Sequence, residues 1–169
     1  MLTQFLLVGT NHAHQLVNNQ HGKSKSFYRF LLNRCNESPV DLIAEEMSAE
    51  ALIKYATTSI SYLAANSIGI PHLLCDPNNA ERTELNIPSE DELRAQLCLG
   101  NRRVGVVEKI DNAKKLYWPI REAEWLRRVE HQRCKLCLFI LGSDHVLSFD
   151  SLIRKNGNLS RVLIEKWEH

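Results

Sequence analysis

Two short motifs in this chain each place a histidine directly after an apolar run. They are GTNH at 9–12 and GSDH at 142–145. Glycine allows a sharp turn at the end of a strand, and the carboxyl ends of parallel strands meet at the edge where open α/β sheets bind ligands. We therefore expect His12 and His145 to lie in one site.

Two adjacent carboxylates end another apolar run, DLIAEE at 41–46. Ionised carboxylates are rarely placed at a core boundary without a partner. Neighbours on a strand point to opposite faces, so only one of them can face the site directly. We expect Glu46, which leaves the pleat, to be the direct ligand or base, and the partly buried Glu45 to orient a histidine.

His12, His145 and Glu46 together are a donor set for a divalent ion such as Mn²⁺, Zn²⁺ or Co²⁺. Such an ion would lower the pKa of a bound water to about 7 and generate a nucleophile. The same groups could instead act without metal as an acid and base, or recognise a small ligand without turnover. A third interpretation is a protein-interaction module whose site is vestigial.

Arg121 and Glu122 follow Pro119, which is favoured in the first turn of a helix. A cation there opposes the helix dipole, and binding of an anion would explain its presence. Arg121 and Glu122 are therefore further catalytic candidates. The substrate-binding candidates are Asn11, Asp76, Arg82 and Asp144.

Two of these candidates also have purely structural interpretations. Asp76-Pro77 is typical of a helix N-cap followed by the first helical position. Arg82 could form a surface salt bridge.

The composition is that of one ordinary globular domain spanning residues 1–169. Lys plus Arg number 21 and Asp plus Glu number 20, so no bulk charge favours nucleic acid. The N-terminus lacks the basic region and apolar length of a signal peptide or membrane span, which predicts a cytoplasmic protein without membrane contact. The five cysteines do not suggest a disulfide framework, and Cys134-Lys-Leu-Cys137 lacks the second pair of a zinc ribbon.

Strand-like and helical runs alternate along the chain, which predicts an α/β fold: a mainly parallel open sheet of about five strands with helices on both faces. The predicted strands are 4–9, 41–45, 71–75, 136–141 and 160–165, with His72 in the core rather than in a site. The predicted helices are 49–67, 89–99, one beginning at Pro119 and 146–155. Residues 100–115 are expected to form an edge hairpin at 104–108 or a loop over the site.

These motifs, in this order, resemble the Tiki/TraB superfamily, which includes erythromycin-esterase-like and ChaN-like proteins. The resembling segments are LLVGTNH at 6–12, DLIAEEM at 41–47, IPHLLCDP at 70–77, REAEWL at 121–126 and LFILGSDH at 138–145. The resemblance implies an α/β fold whose site is lined by His12, Glu45, Glu46 and His145.

The resemblance also implies a hydrolase-like activity on a small molecule or peptide. Tiki-like members are described as metal-dependent peptidases, erythromycin-esterase-like members open an ester ring, and ChaN-like members bind haem. One fold that hosts such different chemistries does not name a substrate. The chain is short for this superfamily, so dimerisation could complete the site.

Overall fold

The computed structural model describes residues 2–17, 23–97 and 105–168. Within these ranges the chain forms a five-stranded, all-parallel sheet with the strand order β3-β2-β4-β1-β5. The strands are β1 (Gln4–Thr10), β2 (Leu42–Glu45), β3 (His72–Leu74), β4 (Leu136–Gly142) and β5 (Leu159–Ile164). The predicted α/β class and open parallel sheet are confirmed.

Helices connect the strands along the chain. They are α1 (Lys23–Glu37), α2 (Ala49–Lys54), α3 (Ile60–Ile68), α4 (Asn79–Glu84), α5 (Glu90–Leu97), α6 (Val106–Lys115), α7 (Trp118–His131) and α8 (Val146–Lys155). Short 3₁₀ turns, His12–Gln15 and Ser143–His145, follow β1 and β4. None of the helices in the described ranges is long and apolar enough to cross a membrane.

Both faces of the sheet are covered, which explains why the strands are continuously apolar. In β1, Phe5 and Leu7 pack on the face covered by α7 and α8, whereas Leu6 and Val8 pack on the face covered by α1 and α3. The central strands β1 and β4 are therefore buried on both sides. Their carboxyl ends are held rigidly at one edge.

The predicted helix 49–67 is in fact two helices, α2 and α3. The chain breaks between them at Ala56, which has a φ of 45°. Ser59 then caps α3 by accepting a hydrogen bond from the backbone N–H of Tyr62. The apolar spacing matched a helix on both sides of the break, so the pattern concealed it.

Two other local predictions are also wrong. The hairpin at 104–108 is replaced by α6, which begins at Val106. Residue 104 lies outside the described residues. The end of the helix predicted to reach residue 99 also lies outside them. Asn78, not Asp76, caps α4, and it forms a capping box with Glu81.

Not every apolar residue of α7 faces the core. Ile120 and Ala123 are exposed, while Glu122 and Trp125 are buried. The true buried face of this helix therefore contains a carboxylate.

Candidate functional site

A cleft of about 570 Å³ opens at the carboxyl edge of the sheet. This volume falls in the range of small-molecule sites. Eight candidates named from the sequence line it: Asn11, His12, Glu46, Asp76, Arg82, Arg121, Asp144 and His145. The other two, Glu45 and Glu122, do not line the cleft and contact histidines instead.

The two histidine motifs lie side by side because β1 and β4 are neighbours in the sheet. Thr10 is in register with Gly142, so the two chains leave the sheet at the same level. Each then forms a 3₁₀ turn that includes the histidine. The juxtaposition thus follows directly from parallel strand pairing.

His145 is buried and held from several directions. Its Nδ1 lies 2.7 Å from Glu122 Oε1, which also accepts a hydrogen bond from Ser148 Oγ at 2.6 Å. Its ring packs against Trp118 and Trp125, with centroids 4.2 and 5.0 Å away. The Nδ1 contact with a carboxylate favours the tautomer that carries its proton on Nδ1. Nε2 is left facing the cleft.

His12 lies on the open side of the cleft. Its side chain is 55% exposed, and its nearest charged neighbour is Glu46, with Nε2 and Oε1 3.8 Å apart. Asn11 before it caps the turn by accepting a hydrogen bond from the Ala13 N–H at 2.9 Å. His12 is therefore positioned mainly by the backbone.

Glu46 lies between the two histidines and is almost completely buried. Its Oε1 accepts a hydrogen bond from Arg121 Nη2 at 2.8 Å, and its Oε2 accepts one from the Gly142 N–H at 2.8 Å. Oε1 is also 3.6 Å from His145 Nε2. That distance and the 3.8 Å to His12 exceed a direct hydrogen bond but can be spanned by a bridging water.

Gly142 has a steric role in this arrangement. A Cβ at this position would lie 3.2 Å from Glu46 Oε2 and 3.3 Å from His12 Nε2. Only glycine lets the strand end approach both side chains without displacement. The motif glycine therefore keeps the donor N–H of β4 close to the carboxylate.

Asp76 and Arg121 form the wall of the cleft next to Glu46. Asp76 Oδ1 accepts hydrogen bonds from Arg121 Nε at 3.0 Å and from Trp125 Nε1 at 3.2 Å, while its Oδ2 accepts one from Arg82. Burial by itself would raise the pKa of Asp76, but the two guanidinium groups outweigh it and hold the pKa below its ordinary value.

The same contacts fix the charge of Arg121. Burial opposes the charged form, but Asp76 and Glu46 raise the pKa of Arg121 above its ordinary value. Its guanidinium also lies 5.2 Å from the ring of Trp125. The cleft thus contains a permanent, immobilised positive charge.

Glu45 does contact a histidine, but it is His72, which lies outside the cleft, and not His12 or His145. Glu45 is fully buried, and its Oε1 lies 2.8 Å from His72 Nε2. His72 in turn meets Tyr62 edge to face. The buried Glu45 Oε2 has no hydrogen-bond partner among the described residues. This pair supports β2 and β3 and does not enter the cleft.

The donors of the cleft do not fit a divalent ion as they are arranged. Metal ligands lie about 2.0–2.2 Å from an ion, but the Glu46 oxygen nearest both histidines already accepts a hydrogen bond from Arg121. A cation there would stand beside a guanidinium. Across the described ranges, no group of three or more His, Cys, Asp or Glu side chains is placed to hold a metal.

Several residues near the site were not identified from the sequence, among them Trp118, Lys166 and Ser148. Trp118 and Lys166 line the cleft, and Ser148 bonds Glu122. Trp118 directly precedes the proline that marks the start of α7, so its place beside Arg121 could have been inferred. No sequence signal brings Lys166, which follows β5, to the ends of β1 and β4.

Comparison with known proteins identified no relatives. No protein-family model, no curated protein and no solved structure matches the chain.

Proposed function

We propose that the cleft is a metal-independent hydrolytic site that acts on a small-molecule or peptide substrate, with His145 as the general base. The observation that carries this proposal is the contact of His145 Nδ1 with the buried Glu122, at 2.7 Å. A carboxylate at Nδ1 leaves Nε2 without a proton and able to accept one, and it stabilises the imidazolium that forms.

In this mechanism His145 Nε2 takes a proton from a water in the cleft, and the resulting hydroxide attacks the carbonyl carbon of an ester or amide. Arg121, whose charge is permanent, stabilises the negative charge that develops on the carbonyl oxygen. Glu46 fixes the position of Arg121 through the 2.8 Å hydrogen bond. His12, on the open side, donates a proton to the leaving group.

The resemblance to the Tiki/TraB superfamily supports the same reaction class, since esterase-like and peptidase-like members hydrolyse ester and peptide bonds. The alternative is a site that binds a small ligand or a protein without turnover. This alternative uses the same cleft but does not require His145 to carry its proton on a particular ring nitrogen.

Activity can be tested with chromogenic acyl esters, lactones and fluorogenic peptides in the presence of a chelator. We expect kcat/KM for the best substrate to fall by roughly 10²–10⁴-fold in His145→Asn, because general base catalysis is lost. His131→Asn is the matched control: His131 is exposed at the end of α7, and its Nδ1 bonds a backbone oxygen. This control should keep wild-type activity.

Turnover that requires added Mn²⁺, Zn²⁺ or Co²⁺ would favour the metal-assisted mechanism. Turnover that survives His145→Asn would contradict both the metal-independent and the metal-assisted mechanism. Failure of the whole panel, together with a ¹⁵N spectrum in which His145 carries its proton on Nε2, would favour the non-catalytic alternative.

A further inference from the structure

Cys134 and Cys137 lie at the amino end of β4, the end of the sheet away from the cleft. Cys134 lies two residues before the strand, and Cys137 lies within it, in register with Phe5 of β1 and Leu42 of β2. Both cysteines belong to the core on the α7 and α8 side and are free thiols. The proposed hydrolytic site uses neither.

The two thiols interact directly and differ in chemical character. Hydrogen bonding with Cys137 lowers the pKa of Cys134, and this effect exceeds the opposing effect of burial. Cys137 is fully buried, which raises its pKa well above the ordinary value and keeps it a thiol. Cys134 is thus the more acidic of the two thiols and is expected to react first.

The backbone between the cysteines is held rigidly. The Asp41 carboxylate accepts hydrogen bonds from the N–H groups of Lys135 at 2.9 Å and Leu136 at 3.0 Å. Thr3 Oγ1 donates to the carbonyl oxygen of Cys134 at 2.9 Å. These contacts fix the bend before β4, which places both cysteine side chains in the core on the same face of the sheet.

The surroundings limit which oxidant can enter. Cys134 is only 7% exposed. Such limited exposure suits a small reagent better than a bulky disulfide. Cys137, at 0% exposure, can react only with a group already attached to Cys134.

We propose that Cys134 and Cys137 are a reversible redox pair that a hydroperoxide oxidises to an intrachain disulfide. The Cys134 thiolate attacks one oxygen of hydrogen peroxide, the O–O bond breaks, and the departing hydroxide takes up a proton to become water. Cys134 is then a sulfenic acid. The Cys137 sulfur attacks it, the S–O bond breaks, and the thiol proton leaves with the hydroxyl group as water. Two electrons pass from the two thiols to one peroxide, and a dithiol reductant reverses the change.

The test treats the full-length chain with a slight excess of hydrogen peroxide, stops the reaction with catalase and measures intact mass and peptide masses. We expect the wild type to lose two hydrogens and to yield a peptide pair joined through Cys134 and Cys137. Treatment with dithiothreitol should restore the original mass. Cys134→Ser should slow the oxidation at least ~10-fold.

Cys137→Ser should stop at the first step, leaving a sulfenic acid on Cys134 that dimedone traps. Cys137→Ala provides the same test if the serine variant does not fold, because alanine buries no polar group. Cys35→Ser is the matched control, since Cys35 is a half-buried thiol of α1 on the opposite face of the sheet, and this variant should oxidise as the wild type does.

Three results would overturn the proposal. One is a wild-type chain that keeps both hydrogens while remaining folded. Another is a disulfide that joins Cys75 to Cys137, because Cys75 belongs to the same core cluster. The third is an unchanged oxidation rate in Cys134→Ser.

Discussion

The ends of β1 and β4 carry nearly the same four residues, yet the structure uses them differently. At the end of β4, His145 is 5% exposed and held by Glu122 and two tryptophan rings. At the end of β1, the His12 side chain is 55% exposed. A shared motif therefore fixes where a histidine lies but not how it is held, because the neighbouring helices supply its partners.

The glycines of the two motifs differ in the same way. A Cβ on Gly9 would lie 1.8 Å from the backbone oxygen of Glu165, so the chain that follows β5 crosses directly over it. A Cβ on Gly142 would meet side-chain atoms of Glu46 and His12 at 3.2 and 3.3 Å. The first glycine is required by packing of the backbone and the second by the cleft.

The largest expected difference is between His145→Ala and His12→Ala. Removing His145 leaves a buried carboxylate without its cationic or donor partner and opens a cavity beside two tryptophans, so we expect a loss of about 3 kcal/mol in the free energy of unfolding. His12→Ala should change it by less than about 0.5 kcal/mol. Urea unfolding followed by circular dichroism measures both, and equal losses would contradict the comparison.

A smaller difference is expected between the glycines. Gly9→Ala forces a backbone segment to move, which should cost about 2–3 kcal/mol. In Gly142→Ala two side chains can shift, and we expect about 1 kcal/mol with a larger effect on ligand binding or turnover than on stability. The same unfolding assay applies. A Gly142→Ala variant less stable than Gly9→Ala would show that β4, not β1, is the more tightly covered strand.

The last prediction concerns Asp76, which supports Arg121 and through it the carboxylate shared by both histidines. Since its pKa in the folded protein is below the ordinary value of 3.8, Asp76 stabilises the fold fully above that value. The contribution is lost as the pH falls through the lower, folded pKa. Asp76→Asn should therefore cost about 1.5 kcal/mol between pH 5 and pH 7, and the difference from wild type should shrink below about pH 4.

A difference between Asp76→Asn and wild type that stays constant down to pH 2, measured by urea unfolding across this range, would show that Asp76 acts through shape and not through charge.

Much of the cleft could be predicted because parallel pairing brings strand ends together whatever the side chains are. The neighbourhood of His12, Glu46 and His145 followed from this rule alone. Side-chain pairing could not be predicted, because it depends on helix rotation. The buried face of α7 turned out to contain Glu122, and so Glu122 meets His145.

Local breaks were also hidden from the sequence. The apolar spacing of 49–67 continues across Ala56. The backbone has a positive φ at this residue although it is not a glycine, so the sequence gives no sign of the break. Glu45 was expected to orient a histidine of the cleft, but strand order decides which histidine lies beside it. Because β3 lies beside β2, the partner is His72.

The position of β1 in the sheet has a consequence for how the chain acquires its fold during synthesis. Gln4 pairs with Leu136 on one side and with Leu159 on the other, so both neighbours of this apolar strand are made long after it. At a translation rate of roughly 5–20 residues per second, β1 waits on the order of ten seconds or more for a partner. Pairing at such separation is slow to form and leaves an apolar segment open to association. We expect nascent chains of this protein to depend on chaperones until β4 has emerged from the ribosome.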